Sequence, residues 1–303
     1  MPDLDRPEKI TGWRNVVNML LAMSLVKSLK QILRGFVEGT PILSDYYYYY
    51  WLFPRNPNLY RGVFSSFSAA AMAVPPKLPS GYNHAEIHNT SLKHDIDINE
   101  IHPFKPIDYP VLVWLGEIFK ESSILFDLGG NTGYSYYAYR RFISYPPNVR
   151  WLICDVPEAV KVGNEFLTRF NSPGLSYTTN ISDAEGTEIF FTCGTLQYLE
   201  PSLAALLSQL QTKPQHLIVH HVPFYEGEQY VTLQNLLIVD PVDKTQISSY
   251  TPYKIQNRTQ FINSIVALGY ELVDSWQKNR TCYIPFHPER AVDAYHGFYF
   301  RQT

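Results

Sequence analysis

Two aspartates and a histidine pair sit where the chain passes out of apolar runs, and their surroundings suit chemistry. The first aspartate opens the heptapeptide Asp127-Leu128-Gly129-Gly130-Asn131-Thr132-Gly133, which follows an apolar run at 124–128 and leads into a helical stretch. Glycines at a strand-to-helix turn let the backbone approach a ligand closely, and the helix start adds N–H donors. Asn131, in the middle, is the residue next best able to adopt a left-handed backbone. A turn that needs glycine only for tight packing predicts the same residues. The second aspartate, Asp155, ends the run 150–156, and the cap of a helix beginning near Glu158 is one use for it. His220 and His221 end the run 216–222. Neighbouring strand residues point to opposite faces, so one of the two, taken as His221, can face a pocket and accept a proton there. A packed or surface histidine is the plain alternative.

The turn does not carry a dinucleotide fingerprint. In the G-x-G-x-x-G register starting at Gly129, the second and third glycines are replaced by Asn131 and Tyr134. A bulky Tyr134 suits neither the close helix packing nor an NAD(P)-dependent oxidoreductase, which stands as an alternative function. The Gly-Lys-Ser/Thr of a phosphate loop is absent too. No Cys/His cluster has metal-ligand spacing, so no metal is expected.

These residues need elements to hold them. Short apolar runs at 124–128, 150–156, 175–181, 188–194, 216–222, 270–276 and 295–301 alternate with helix candidates at 135–142, 158–170, 202–210 and 258–268. Strands buried on both faces and separated by helices indicate a largely parallel sheet. The short connection between the last two runs suits an antiparallel final strand. The expectation is an open three-layer α/β sandwich of about seven mostly parallel strands over residues 111–303.

Ahead of it, residues 1–110 read as a helical and irregular extension. Val17, Leu21, Leu25, Leu29 and Leu33 give residues 13–38 an amphipathic period, with Lys27, Lys30 and Arg34 opposite. That helix would pack on its own domain or on a second copy, making a homo-oligomer, or touch an anionic membrane surface peripherally. Residues 39–110 hold many prolines, a short helix at 65–74 and an aromatic run at 46–51, and read as a cover or oligomerisation segment.

The aspartate and glycine turn resembles motif I of class I S-adenosylmethionine-dependent methyltransferases, with Asn131 in place of a glycine. Asp155 stands where that family places the acid for the ribose hydroxyls, and a carboxylate offers acceptors only. Residues 190–199 resemble the fourth strand and turn of the same enzymes. The segments 60–67, 81–82, 196–198, 224–234 and 297–300 resemble, more narrowly, an uncharacterised methyltransferase family associated with bacterial surface-polysaccharide genes. The resemblance implies a Rossmann-like fold, S-adenosylmethionine as cofactor, and in-line methyl transfer, by O-methylation, to a small molecule or sugar precursor. It implies that Asp127, Gly129, Gly130, Asn131, Gly133, Asp155, Ile181, Gly194 and Thr195 hold the cofactor, with Asn180 and Asp183 near the adenine. Tyr82, Gln197, Tyr198, Glu226 and Gln234 would meet the acceptor, while the base read from the residues, His221 or His220, departs from the family, which often has a polar non-histidine residue there. A methyltransferase fold kept as an inactive interaction protein is the remaining alternative.

Composition narrows the partners. The 303 residues carry 25 basic against 28 acidic side chains, a net charge of −3, which argues against nucleic acid. Charged residues are 17% and aromatics 15%, with 23 tyrosines, so the chain can bury apolar area and is not disordered. The tyrosines gather ahead of the sheet, after the glycine turn and at strand ends, where a cover, pocket or subunit contact belongs. Cys154, Cys193 and Cys282 are odd in number and far apart, which suits buried thiols. No run reaches the length of a membrane span and no secretory leader is evident, so a cytoplasmic location is expected.

Overall fold

A computed structural model describes residues 41–56, 58–74, 80–84, 104–239 and 246–303. The helix expected over 13–38 lies outside these residues. The chain divides into two compact units, Met1–Arg55 and Asn56–Thr303. In the first, the aromatic run is helical rather than irregular: α1 (Pro41–Tyr47), a π-helical turn (Tyr48–Leu52) and α2 (Phe53–Arg55) follow one another. The Arg55 guanidinium closes this stretch by donating to the carbonyls of Tyr50 and Trp51, and it covers the Trp51 ring at 4.3 Å.

The second unit runs β1 (Tyr60–Phe64), α3 (Phe67–Met72), a 3₁₀ turn (Pro106–Asp108), α4 (Tyr109–Ile118), β2 (Ile124–Leu128), α5 (Tyr134–Tyr139) and β3 (Arg150–Cys154). It continues with α6 (Pro157–Arg169), β4 (Leu175–Thr178), β5 (Ile189–Cys193), α7 (Leu203–Leu207) and β6 (His216–Tyr225). It ends with β7 (Tyr230–Val239), β8 (Gln246–Asn257), α8 (Arg258–Val266), β9 (Tyr270–Cys282) and β10 (Val292–Gln302). All seven expected strands form, in the order β4-β3-β2-β5-β6-β10-β9. The first five are parallel to their neighbours, and β10 is antiparallel to both β6 and β9. The order reverses between β2 and β5, one strand away from the histidine pair.

Side chains alternate across this sheet as strand geometry requires. Leu125, Phe191, Ile218 and Tyr299 face a core built with α4, α5 and α6, while Phe126, Phe190, Val219 and Phe298 face one built with α7 and α8. Helices therefore cover both faces of a Rossmann-like sandwich. Three tyrosines of α5, Tyr136, Tyr137 and Tyr139, belong to the first core and not to a pocket, whereas Tyr134 lines a cavity. Tyr136, Tyr137 and Tyr139 are buried, with the hydroxyl of Tyr136 donating to the Pro173 carbonyl and that of Tyr137 bonded to Ser172.

The strand count exceeds seven because a second, antiparallel set, β1-β7-β8, joins the first through β6. Strand β6 pairs with β5 up to His220 and with β8 at Phe224 and Tyr225. Between the two, Val219 pairs with Phe298 and Val222 with His296, so His220 and His221 stand opposite Gly297 alone. This is a β-bulge, with His221 at a left-handed φ of 60°. It turns the strand from one sheet into the other. At the far edge, β1 pairs with β7 through Tyr60 and Gln234, and residues 80–81 attach to β8 beside Tyr250.

Candidate functional site

The carboxyl ends of β2, β3, β5 and β6 open into one cavity of about 1050 Å³. Its first half is built around the turn at 129–133. Gly129, Asn131 and Gly133 have left-handed φ angles of 77°, 53° and 100°, so Asn131 takes the backbone its replacement of glycine requires. A Cβ on Gly129 would lie 2.1 Å from Thr195 Oγ1, so glycine is needed to let β5's turn close on β2's. Tight packing thus accounts for this glycine, and the same closeness leaves the backbone of 129–131 on the cavity wall. Asn131 also does what glycine cannot: its Oδ1 accepts from Thr132 N and its Nδ2 donates to the Tyr82 hydroxyl at 3.1 Å.

The two aspartates flank this turn. Asp155 accepts from Asn131 N at 2.7 Å and from Val156 N at 2.7 Å. It does not cap α6, whose early Glu158 N–H is taken by Asn83 instead, at 3.1 Å. Asp127 is buried and lines the cavity, and it accepts from the indole N–H of Trp151 at 3.0 Å. Among the described residues no Lys or Arg is within ion-pair distance of it. Burial pushes its carboxyl up to about 7, against the bond from Trp151, and the charge of Asp155 adds to the rise. A buried carboxylate without a cation suits a ligand that brings one.

Ile181, Gly194 and Thr195 complete this half of the wall, while Asn180 and Asp183 bond to each other and to Thr178. Gly133 stays behind the wall, packed on Tyr137 and Tyr177. Tyr82 and Tyr198 line the cavity with stacked rings 6.2 Å apart. The other residues expected near an acceptor are not on the wall. Gln197 is buried and donates to the Gly194 carbonyl, Gln234 accepts from the Tyr198 hydroxyl, and Glu226 bonds to Thr259. Their work is to hold the turn after β5, the Tyr198 ring and the end of β6.

The histidines separate as adjacent strand residues should, with His221 on the cavity wall and His220 buried behind it. An indole can only donate, so the 2.9 Å bond from Trp276 makes His220 Nδ1 an acceptor. The ring proton of His220 is then on Nε2, which donates to Asp108 at 3.2 Å. Gly297 permits this, since a Cβ there would meet the Trp276 indole at 2.2 Å. His221 Nε2 accepts from Arg280 at 2.9 Å, which leaves its proton on a buried Nδ1 that has no partner. Burial first, then the charge of Arg280, lowers His221 to about 3, so the ring is neutral and a weak proton acceptor.

The second half of the cavity holds residues that spacing does not reveal: Lys105 and Asp108 ahead of α4, Tyr134 on α5, and Lys278 and Arg280 on β9. The alternation Lys278-x-Arg280 just past an apolar strand was the available signal. Among the described residues no group of His, Cys, Asp and Glu is arranged to hold a metal ion, and no helix is long and apolar enough to cross a membrane.

No protein-family model matches the sequence, and no curated protein matches it. Among solved structures, the CcbJ methyltransferase from Streptomyces caelestis is similar at 10% identity and a TM-score of 0.47, covering 72% of this chain and 98% of its own. An S-adenosylmethionine-dependent methyltransferase from Clostridium acetobutylicum ATCC 824 is similar at 11% identity and 0.41, covering 72% and 97%. The 1,6-didemethyltoxoflavin-N1-methyltransferase of Burkholderia thailandensis is similar at 14% identity and 0.42, covering 76% and 94%.

Proposed function

We propose that this chain is an S-adenosylmethionine-dependent methyltransferase whose acceptor is a small molecule or a sugar precursor. The observation that carries the reading is the pair Asp127 and Asp155, at the ends of adjacent strands, on either side of a left-handed turn that opens into the cavity. The donor set fits the cofactor. Asp127 would take its ammonium group, Asp155 its ribose hydroxyls, and Ile181 would pack on the adenine, while the backbone of 129–131 accommodates the methionine part. Pockets for single drug-sized ligands span roughly 300–1,000 Å³, and this cavity lies at the top of that range.

The cofactor supplies an electrophilic methyl group. The chain supplies position, which can account for most of such a transfer when both reactants are held in line. Tyr82 and Tyr198 offer stacked aromatic faces to a sugar or a planar acceptor. His221, neutral and bonded to Arg280, is too weak a base to remove the acceptor's proton. The carboxylate available to take that proton is Asp108, with its partner His220 fixed by Trp276. O-methylation of a surface-polysaccharide precursor is the finer form of this reading and rests on the sequence resemblance.

Calorimetric titration of the chain with S-adenosylhomocysteine and with NAD tests it. S-adenosylhomocysteine should bind and NAD should not. Asp155→Asn should weaken binding by about tenfold or more, since a hydrogen bond to a charged group contributes ~1.5–3 kcal/mol. Binding of NAD alone, or an unchanged affinity in the variant, would overturn the assignment.

A further inference from the structure

The second half of the cavity carries a positive charge that methyl transfer does not require. Trp276 on β9 pairs with Gly297 at the level of the histidine pair, so the rest of β9 overhangs the carboxyl edge of the sheet. Lys278 and Arg280 are two residues apart on that overhang and therefore share a face. Both line the cavity, and so does Lys105. Among the described residues none of these three cations is paired with a carboxylate. Lys105 sits over the Tyr134 ring at 4.6 Å, and Arg280 sits over Tyr295 at 4.9 Å while donating to His221. Asp108 lines this half too and keeps its charge, because the His220 ring that donates to it is neutral, so three cations stand against one carboxylate there; Glu226 bonds to Thr259 and Asp274 to Trp114. All three cations oppose a further positive charge on His221. Like charges gathered round one opening repel, and an anion placed among them relieves the repulsion.

We infer that this half of the cavity binds an anionic group of the acceptor, a carboxylate or a phosphate ester, between Lys105, Lys278 and Arg280. That the anion belongs to a methyl acceptor rests on the reading above; the anion site itself does not. Titration of the chain at low ionic strength with pyrophosphate, with succinate and with glucose tests the site. One or both anions should bind, and glucose should give no heat at the same concentrations. The tighter anion identifies phosphate or carboxylate as the group held. Lys278→Gln combined with Arg280→Gln should weaken the anion by about tenfold or more, as expected for charge-assisted bonds. Lys105→Gln alone should weaken it less, and added salt should weaken it further. S-adenosylhomocysteine affinity, read on the same proteins, should stay within about twofold and reports an intact fold. Absence of anion binding, or undiminished binding in the double variant, overturns the inference. Anion binding without S-adenosylhomocysteine binding overturns the cofactor reading alone.

Discussion

Replacing Asp127 by asparagine separates the cost of a buried charge from its use. The native carboxyl is raised from 3.8 to about 7, chiefly by burial. A raised acid holds its proton more tightly in the folded chain than in the unfolded one. Its contribution to stability therefore falls as pH climbs from about 4 to 7 and is flat above that window. At 1.36 kcal/mol per pH unit, the 3-unit difference makes the ionised group cost about 4 kcal/mol at pH 8. At pH 5 the same group costs roughly 1 to 2 kcal/mol, because the folded chain keeps it protonated while the unfolded chain does not. Asparagine keeps an acceptor for the Trp151 indole and carries no charge. The stability of Asp127→Asn relative to the native protein should thus improve by roughly 2 to 3 kcal/mol between pH 5 and pH 8. Urea unfolding at the two pH values measures this. The same variant should lose affinity for S-adenosylhomocysteine, most at high pH, where the native carboxylate is fully charged. A stability difference that does not move with pH would refute the account of Asp127 as a charge held in reserve for a cation.

Two further outcomes follow from close contacts. Gly129→Ala combines a left-handed φ with a Cβ 2.1 Å from Thr195, and should cost more than about 2 kcal/mol in urea unfolding. Adding Thr195→Gly should return part of that loss, and an uncoupled pair would show that the contact is not the cause. Trp276→Phe leaves His220 Nδ1 buried without its donor, at a cost of about 1–3 kcal/mol. The Asp108 carboxylate still accepts from Nε2, so nitrogen NMR of the imidazole should keep the Nε2–H form, and its loss would show that the Trp276 indole alone sets the tautomer.

The main sheet was legible because its strands are apolar on both faces and bounded by turn residues, as in Phe190 and Phe191 of β5 or Leu217 to Val219 of β6. The pair β7 and β8 was not legible, because its interior is polar. Thr232, Gln234, Asn235, Ser249, Thr251, Lys254 and Gln256 are all buried, so beyond the short run 236–239 no apolar stretch marks the length of these strands. Lys254 shows how such residues are satisfied, donating to the carbonyls of Glu200 and Pro201. Helix α4 also escaped notice, since its sequence is apolar almost all round and lacks a polar stripe. In the site, Asp127, Asp155 and the left-handed Asn131 could be picked out because a turn constrains its residue types locally. Lys105, Asp108, Lys278 and Arg280 could not, since they meet only through pairings between distant segments. The bulge at His221 belongs with them: its left-handed backbone arises from two sheets sharing one strand, and no local feature of His220-His221 signals that.

The pairing of β1 with β7 has a consequence for how the protein is made. Tyr60 meets Gln234, 174 positions further on. At synthesis rates of ~5–20 residues per second, β1 leaves the ribosome roughly 9 to 35 seconds before its partner exists. For that interval a five-residue strand with an unpaired edge waits for its partner, and unpaired edges invite pairing with other chains. The left-handed Gly62 and the charge of Arg61 within β1 make it a poor template for such pairing. The wall of the cavity that carries Gly81 and Tyr82 is attached to β8 and so also closes late, after the strands that carry Asp127 and Asp155 have all been synthesised.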